Sequence, residues 1–455
     1  MTMGINLSHR PSSGHPDIPA APAASDLYRQ ATHKALFRLI PLLCLAYFMN
    51  YVDRTNIGLA KSHLQADVGI SVAAFGLGAG LFFVAYALVE VPSNLIMYRV
   101  GPRIWIARIA ISWGIVTALM MFVSNDVTFY IARFALGAAE AGLYPAILYM
   151  VTQWFAQRDR GKIIGYVYIA ACLGMLIGSP MSGALMGLQD VGGLHGWQWM
   201  FLIEGVFTVL VGFAVLLFVP NRPRDASWLD PDEAQALEDA AGGSGRAHES
   251  HSLKGNMKTA FGRPFIIIVG LIYFLNQITI NGITVNIPSI VERMNVDSSF
   301  IVGVLSGMYG AGALVGVLVV PRIALKMSET RLIAILAAGC AIVAGLFLMT
   351  DSPAIQIVLI FILGGLTTGT LPVFWSVVMP RMGGLMAAAG LAFISTIGMS
   401  GGFVGPYVFG LVESQSGTPV TGFYVIVVVS IIGAALVAPL NRSLRNEDRN
   451  AASGS

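Results

Sequence analysis

Charge is what this sequence has least of. Only 11 % of its 455 residues are Asp, Glu, Lys or Arg, against about a quarter in ordinary soluble domains. With 56 % hydrophobic residues, the chain has too little polar surface to cover a water-facing globule, and a soluble fold is excluded. Net charge is also small, at +3, and the basic residues are dispersed between apolar runs, so no nucleic-acid footprint is present. Cysteine is scarce. Cys44, Cys172 and Cys340 lie far apart in hydrophobic segments, a spacing that fits neither a disulfide framework nor a zinc site and reads as packed thiols. Histidine is absent from the apolar runs: all seven fall in tails or connections. No intramembrane metal site is therefore expected.

What the chain has in abundance is long apolar runs. Twelve occur, at 35–60, 73–98, 103–124, 127–153, 162–188, 199–219, 264–291, 300–322, 330–349, 353–379, 383–412 and 420–440. Most approach the ~20 residues that cross a bilayer as helix. The expectation is an all-α membrane protein of twelve transmembrane helices. One long polar segment, 220–263, divides the runs six and six; its "NRPRDASWLDPDEAQALEDAAGGSG" reads as a short acidic helix followed by a Gly/Ser linker. The expected organisation is a disordered tail over 1–27, a six-helix bundle over 28–219, a cytoplasmic linker over 220–263, a second six-helix bundle over 264–441 and a disordered tail over 442–455. Met1 to Asp26 is rich in Pro, Ala and Ser without an apolar core, so the first span is expected to serve as an uncleaved insertion signal.

Orientation follows from Lys and Arg. A cytoplasmic N-terminus puts 23 of the 27 in cytoplasmic tails and loops, 2 (Lys61 and Arg293) outside and 2 (Arg54 and Arg133) within spans. This bias predicts both termini in the cytoplasm. Small residues recur at G-x-x-x-G spacing, as in Gly183/Gly187 and Gly303/Gly307. Such pairs let helix backbones approach, either to slide or simply to pack.

Against this background the buried charges stand out. The stretch "FMNYVDRTNIGLA" sets Asp53 and Arg54 in the first span; Glu90 lies in the second, Arg133 and Glu140 in the fourth, Glu204 in the sixth. Each costs roughly 2.5–3.5 kcal/mol at a helix centre and needs a polar cavity or a partner. Arg133 and Glu140 are seven residues apart, on nearly one face but about 10 Å along the axis, too far for a direct salt bridge. Their separation suits an anion at one level and a proton at another. Neighbours on a helix point about 100° apart, so Asp53 is expected to answer to Arg133 rather than Arg54, leaving Arg54 free for a bidentate carboxylate. Tyr51, Asn56, Tyr86 and Tyr144 share these spans, with ordinary packing as the plainer role of each. The seventh span carries Asn276, Gln277, Thr279, Asn281, Thr284 and Asn286, a lining for a wet cavity. The second half is expected to supply shape and neutral hydrogen bonds, the first half the charge chemistry.

Four stretches carry a resemblance: "YVDRTNIGLA" (51–60), "GLFFVAYALVEVPSNLIMYRVGPRIWIARI" (80–109), "RFALGAAEAGLYPAILYMVTQWF" (133–155) and "GWQWMFLIEG" (196–205). In this order they resemble the anion:cation symporter family of the major facilitator superfamily, which includes tartrate, galactonate, phthalate and hydroxyphenylacetate permeases. The resemblance implies two six-helix bundles rocking about a central site, in a monomeric, multi-pass protein of the cytoplasmic membrane. It makes Asp53 and Glu140 the proton-coupling acids, Arg54 and Arg133 the substrate and gating cations, and Tyr86 a substrate contact. Candidate substrate contacts are thus Arg54, Arg133, Tyr51, Tyr86, Asn281, Asn286, Trp375 and Ser395. The sequence departs from the wider superfamily at Tyr98, which stands in place of an acid as is usual in the resembled family, and from relatives at "VNIPS" (285–289) and at Ser395 and Met399 in "FISTIGMSGG".

The function expected is proton-coupled uptake of a small organic carboxylate, with protons as the coupling ion and no cofactor or metal. An exchanger or uniporter without protons is the alternative, a non-transporting nutrient receptor a remoter one. No nucleophile motif has a base at suitable spacing, so an enzyme is not expected. The Asn/Thr-rich seventh span suits a sugar acid or a tartrate-like acid. Phe374, Trp375 and Phe393 suit an aromatic one.

Overall fold

The computed structural model describes residues 22–242, 264–381 and 385–453; the Gly/Ser part of the linker lies outside them. The first half comprises α1 (Pro22–Arg38), α2 (Ile40–His63), α3 (Val72–Val100), α4 (Pro102–Leu119), α5 (Asp126–Glu140), α6 (Leu143–Trp154), α7 (Gln157–Met186) and α8 (Gly196–Phe218). The linker contributes α9 (Pro231–Ala241). The second half comprises α10 (Pro264–Glu292), α11 (Ser299–Ala324), α12 (Glu329–Leu348), α13 (Pro353–Val378), α14 (Leu385–Ser416) and α15 (Gly422–Ser453). Among the described residues, eleven helical stretches are long and apolar enough to cross a membrane. With α14, packed along α3 and α10, they make the twelve of a two-bundle fold.

Both ends carry more helix than the apolar runs alone require. α1 starts at Pro22 because Tyr28, Ala31, Ala35 and Leu39 recur at three- and four-residue spacing and are buried, an amphipathic face. That face rests against the linker and the start of α7. The Tyr28 hydroxyl donates to Asp159 Oδ2 at 2.5 Å, Lys34 Nζ pairs with Glu233 at 2.7 Å, and Arg38 lies 5.6 Å over the Trp228 ring. α15 continues past 441 to Ser453. The acidic linker helix forms where expected, at Pro231–Ala241, capped by Asp230 and ended by Gly242 at φ 93°.

The fourth span is a correction. Read as continuous over 127–153, it breaks after Glu140. Pro145 has no N–H to return to the Ala141 carbonyl, and Ser93 Oγ takes the bond instead, at 2.7 Å. Trp105 Nε1 in turn donates to Ser93 Oγ at 2.9 Å. Gly142 turns the chain at φ 95°, a conformation that favours glycine. The break leaves Glu140 as the last residue of α5.

The face carrying α1 and α9 is here called the linker side and the opposite face the far side. On the far side the halves interlock. A Cβ on Gly183 of α7 would lie 2.3 Å from Ser299 O of α11, and one on Gly303 of α11 would lie 2.3 Å from Ser179 O of α7. α2 also meets α10 closely: a Cβ on Gly58 would lie 2.7 Å from Val285 O. The small-residue spacing therefore serves close packing between the two halves.

Candidate functional site

Arg54, on α2, turns toward the end of α5. Its Nη2 and Nε lie 2.5 and 3.0 Å from Glu140 Oε1. Glu140 is fully buried, and its Oε2 has no hydrogen-bond partner. The rings of Tyr51, Phe82, Phe83 and Tyr86 surround the Arg54 guanidinium, with centroids 5.5, 5.5, 6.0 and 5.6 Å away. Such rings stabilise a desolvated cation without neutralising it. Arg133 lies 4.9 Å over the same Phe82 ring, with Nε unpartnered.

The expected pairing is thus reversed. Asp53 and Arg133 form no ion pair among the described residues; Asp53 Oδ1 accepts from Thr117 Oγ1 at 2.8 Å and lies 3.4 Å from Asn56 Nδ2, while Oδ2 is unpartnered. Nor is Arg54 free, because Glu140 holds it. The cause is azimuthal: Asp53 lines the cavity with its Oδ1 turned to Thr117 and Asn56, Arg54 reaches toward α5, and the break after Glu140 brings that carboxylate to the level of Arg54.

Between the halves lies a cavity of about 140 Å³. Tyr51, Asp53, Arg54, Tyr86 and Arg133 line it from the first half, and Gln277, Asn281 and Trp375 from the second. Seven of the ten predicted site residues therefore share one wall, and Glu140 joins them through Arg54. Asn286 and Ser395 are not on it. Asn286 is buried, donating from Nδ2 to Gly282 O at 2.8 Å and accepting from Lys61 Nζ at 2.7 Å. The aromatic share of the wall is larger than the sequence indicated. Tyr47, Tyr144, Tyr168 and Tyr273 line it too, and Tyr47 stacks on Tyr144 at 5.4 Å.

Lys61 is a second correction. Expected in an outside loop, it lies inside α2 with 1 % exposure. Its Nζ reaches Glu413 Oε2 of α14 at 2.5 Å as well as Asn286 of α10, and Ser62 Oγ donates to Glu292 Oε1 at 2.9 Å. All three bonds cross between the halves on the far side. The signal was available: Lys61 follows Arg54 by seven residues, two turns along one helix face.

Two helical halves closing around a cavity lined by cationic and carboxylate side chains, in a chain with apolar spans throughout, define a membrane transporter and not an enzyme. The comparisons agree. The pattern of the Major Facilitator Superfamily matches residues 43–406, and the chain belongs to that family. It is 38 % identical over 426 residues to a putative tartrate transporter of Agrobacterium vitis, covering 92 % of this chain and 93 % of that one. It is 34 % identical over 414 residues to a quinolone resistance transporter of Acinetobacter baumannii, covering 90 % and 95 %. Among solved structures it shares the fold of the xylose transporter XylE from E. coli in a partially occluded inward open conformation, with a TM-score of 0.70, 15 % identity and 89 % and 98 % coverage.

Proposed function

We propose that this transporter carries a small organic carboxylate inward together with protons across the cytoplasmic membrane. The observation that carries the reading is the pairing of Arg54, on the cavity wall, with the buried Glu140 behind it. A substrate carboxylate needs the Arg54 fork that Glu140 occupies. A proton on Glu140 removes the competing charge, so proton and anion favour each other's binding, and by linkage the coupling is reciprocal. Asp53 takes a second proton on its unpartnered Oδ2, and Arg133, with Nε unpartnered too, supplies the other cation. Neutralising the cluster lowers the cost of closing it away from water.

Asn281 and Gln277 offer neutral hydrogen bonds from the second half. The tyrosines and Trp375 around them favour a substrate with a flat or apolar body behind its carboxylate. A sugar acid or tartrate, the cargo in the name of one relative, uses the amides instead. The Lys61–Glu413 pair seals the far side in this state. With the linker in the cytoplasm, as the Lys/Arg distribution indicates, that seal faces outward, in a monomer bounded by lipid.

The test is uptake into proteoliposomes. Purified protein is offered radiolabelled tartrate, galactonate and benzoate with and without an inward proton gradient. Accumulation that collapses with a protonophore, and is lost in Glu140→Gln while counterflow persists, supports symport. Accumulation driven only by an internal counter-anion, indifferent to the protonophore, establishes exchange and ends the symport reading.

A further inference from the structure

Glu204 is a buried acid that the uptake scheme leaves unused. It lies in the "GWQWMFLIEG" stretch, on α8, 2 % exposed. Ser182 Oγ of α7 donates to its Oε1 at 2.5 Å, and Asn56 Nδ2 of α2 donates to its Oε2 at 2.7 Å. The same Asn56 nitrogen lies 3.4 Å from Asp53 Oδ1, one turn earlier on α2. Thr117 of α4 completes the run, donating to Asp53 Oδ1 at 2.8 Å. A chain of side chains thus crosses four helices, Ser182 to Glu204 to Asn56 to Asp53 to Thr117. It ends on one oxygen of Asp53 and leaves the other, Oδ2, unpartnered.

Helix glue alone accounts for a buried polar chain, but it does not require the chain to end on a single oxygen of a residue that lines the cavity. The run contains no cation. It acts on Asp53 through two donors, and one of them, Asn56, is aimed by Glu204. We propose that Glu204 is a positioning residue for Asp53: through Asn56 it pins Oδ1 and leaves Oδ2 as the atom that takes and gives up the proton. This rests on Asp53 being a proton site. The charged groups facing Asp53 are Arg133 and Glu140 from α5 and Glu204 from α8, with Arg54 beside it on α2. The proton is carried on Oδ2, and the donors on Oδ1 stay to hold the negative charge it leaves.

Glutamine can stand in for Glu204, its carbonyl accepting from Asn56 and its amide donating to Ser182 Oγ, which accepts as readily as it donates. Alanine cannot. The experiment is infrared difference titration of the carboxylic-acid band in purified protein, using the protons themselves as the probe. The band that Asp53→Asn removes is assigned to Asp53. Glu204→Ala and Asn56→Ala are expected to move its midpoint upward by about half a pH unit or more, through loss of a donor to the ionised form, with Glu204→Gln leaving it in place. Should Glu204→Ala fail to fold, Asn56→Ala, which keeps the Ser182–Glu204 bond, carries the test. A midpoint unmoved in a folded Asn56→Ala or Glu204→Ala variant overturns the proposal and leaves glue. A titrating band lost in Glu204→Gln overturns it in favour of Glu204 as a proton carrier. If Asp53→Asn removes no titrating band, the failure belongs to the reading of Asp53 itself.

Discussion

Lys61 of the first half and Glu413 of the second form a buried ion pair, Nζ to Oε2 at 2.5 Å, that opening on the far side must break. Removing one partner of such a pair typically costs about 3–5 kcal/mol in the state that buries it. Lys61→Met is therefore expected to shift the population toward far-side opening. In a background with Cys44, Cys172 and Cys340 replaced, Asn281→Cys reports the cavity. Labelling by an impermeant thiol reagent from the far side should rise at least tenfold in Lys61→Met and return toward its starting rate in the Lys61→Glu/Glu413→Lys double variant. No rise would remove the seal.

The Arg54–Glu140 pair makes opposite predictions for its members. Arg54→Ala removes the fork and should weaken carboxylate binding by about 1.5–3 kcal/mol, the range for hydrogen bonds to charged groups. Glu140→Gln releases the fork and should leave binding intact and less dependent on pH. Calorimetry with the transported anion at pH 5.5 and 8 distinguishes them.

Outside the membrane, the hydrogen bond from Arg224 holds the Glu238 carboxyl below the usual range. A depressed folded value means the contribution is present at neutral pH and is lost as pH falls through that value. The segment from Arg224 to α9 should exchange its amide hydrogens faster at pH 4 than at pH 7, after correction for intrinsic rates. Glu238→Gln should flatten the difference.

The broken fourth span predicts a stability effect. In Gly142→Ala a Cβ would sit 2.5 Å from Ser93 Oγ in a left-handed conformation that itself costs roughly 1–2 kcal/mol. Ser93→Ala leaves the Ala141 carbonyl without its 2.7 Å donor, at about 1–3 kcal/mol. Both should lower the melting temperature in detergent, Gly142→Ala the more.

The spans, apart from the break in the fourth, and the charged part of the cavity wall could be read from residue order, because burying Asp53, Arg54 or Arg133 in an apolar run is costly wherever the helices pack. Which acid meets which base could not. That depends on how each helix is rotated, and the roughly 100° between neighbours on α2 set Arg54, rather than Asp53, against an oppositely charged residue of α5. Lys61 and Glu413 were lost for a different reason. Each charge alone ends an apolar window, so the runs stopped at 60 and 412, one residue short of both, although together the two cancel each other's penalty. The break at Gly142 was legible: in Gly-Leu-Tyr-Pro, Pro145 cannot bond back to Ala141.

Gly183 and Gly303 each receive the other helix's backbone at 2.3 Å from where a Cβ would stand, a mutual notch between α7 and α11. Neither notch has room for a side chain while the two backbones lie this close. A bulky residue in place of Gly183 or Gly303 would have to prise α7 from α11, without replacing one residue of the cavity wall.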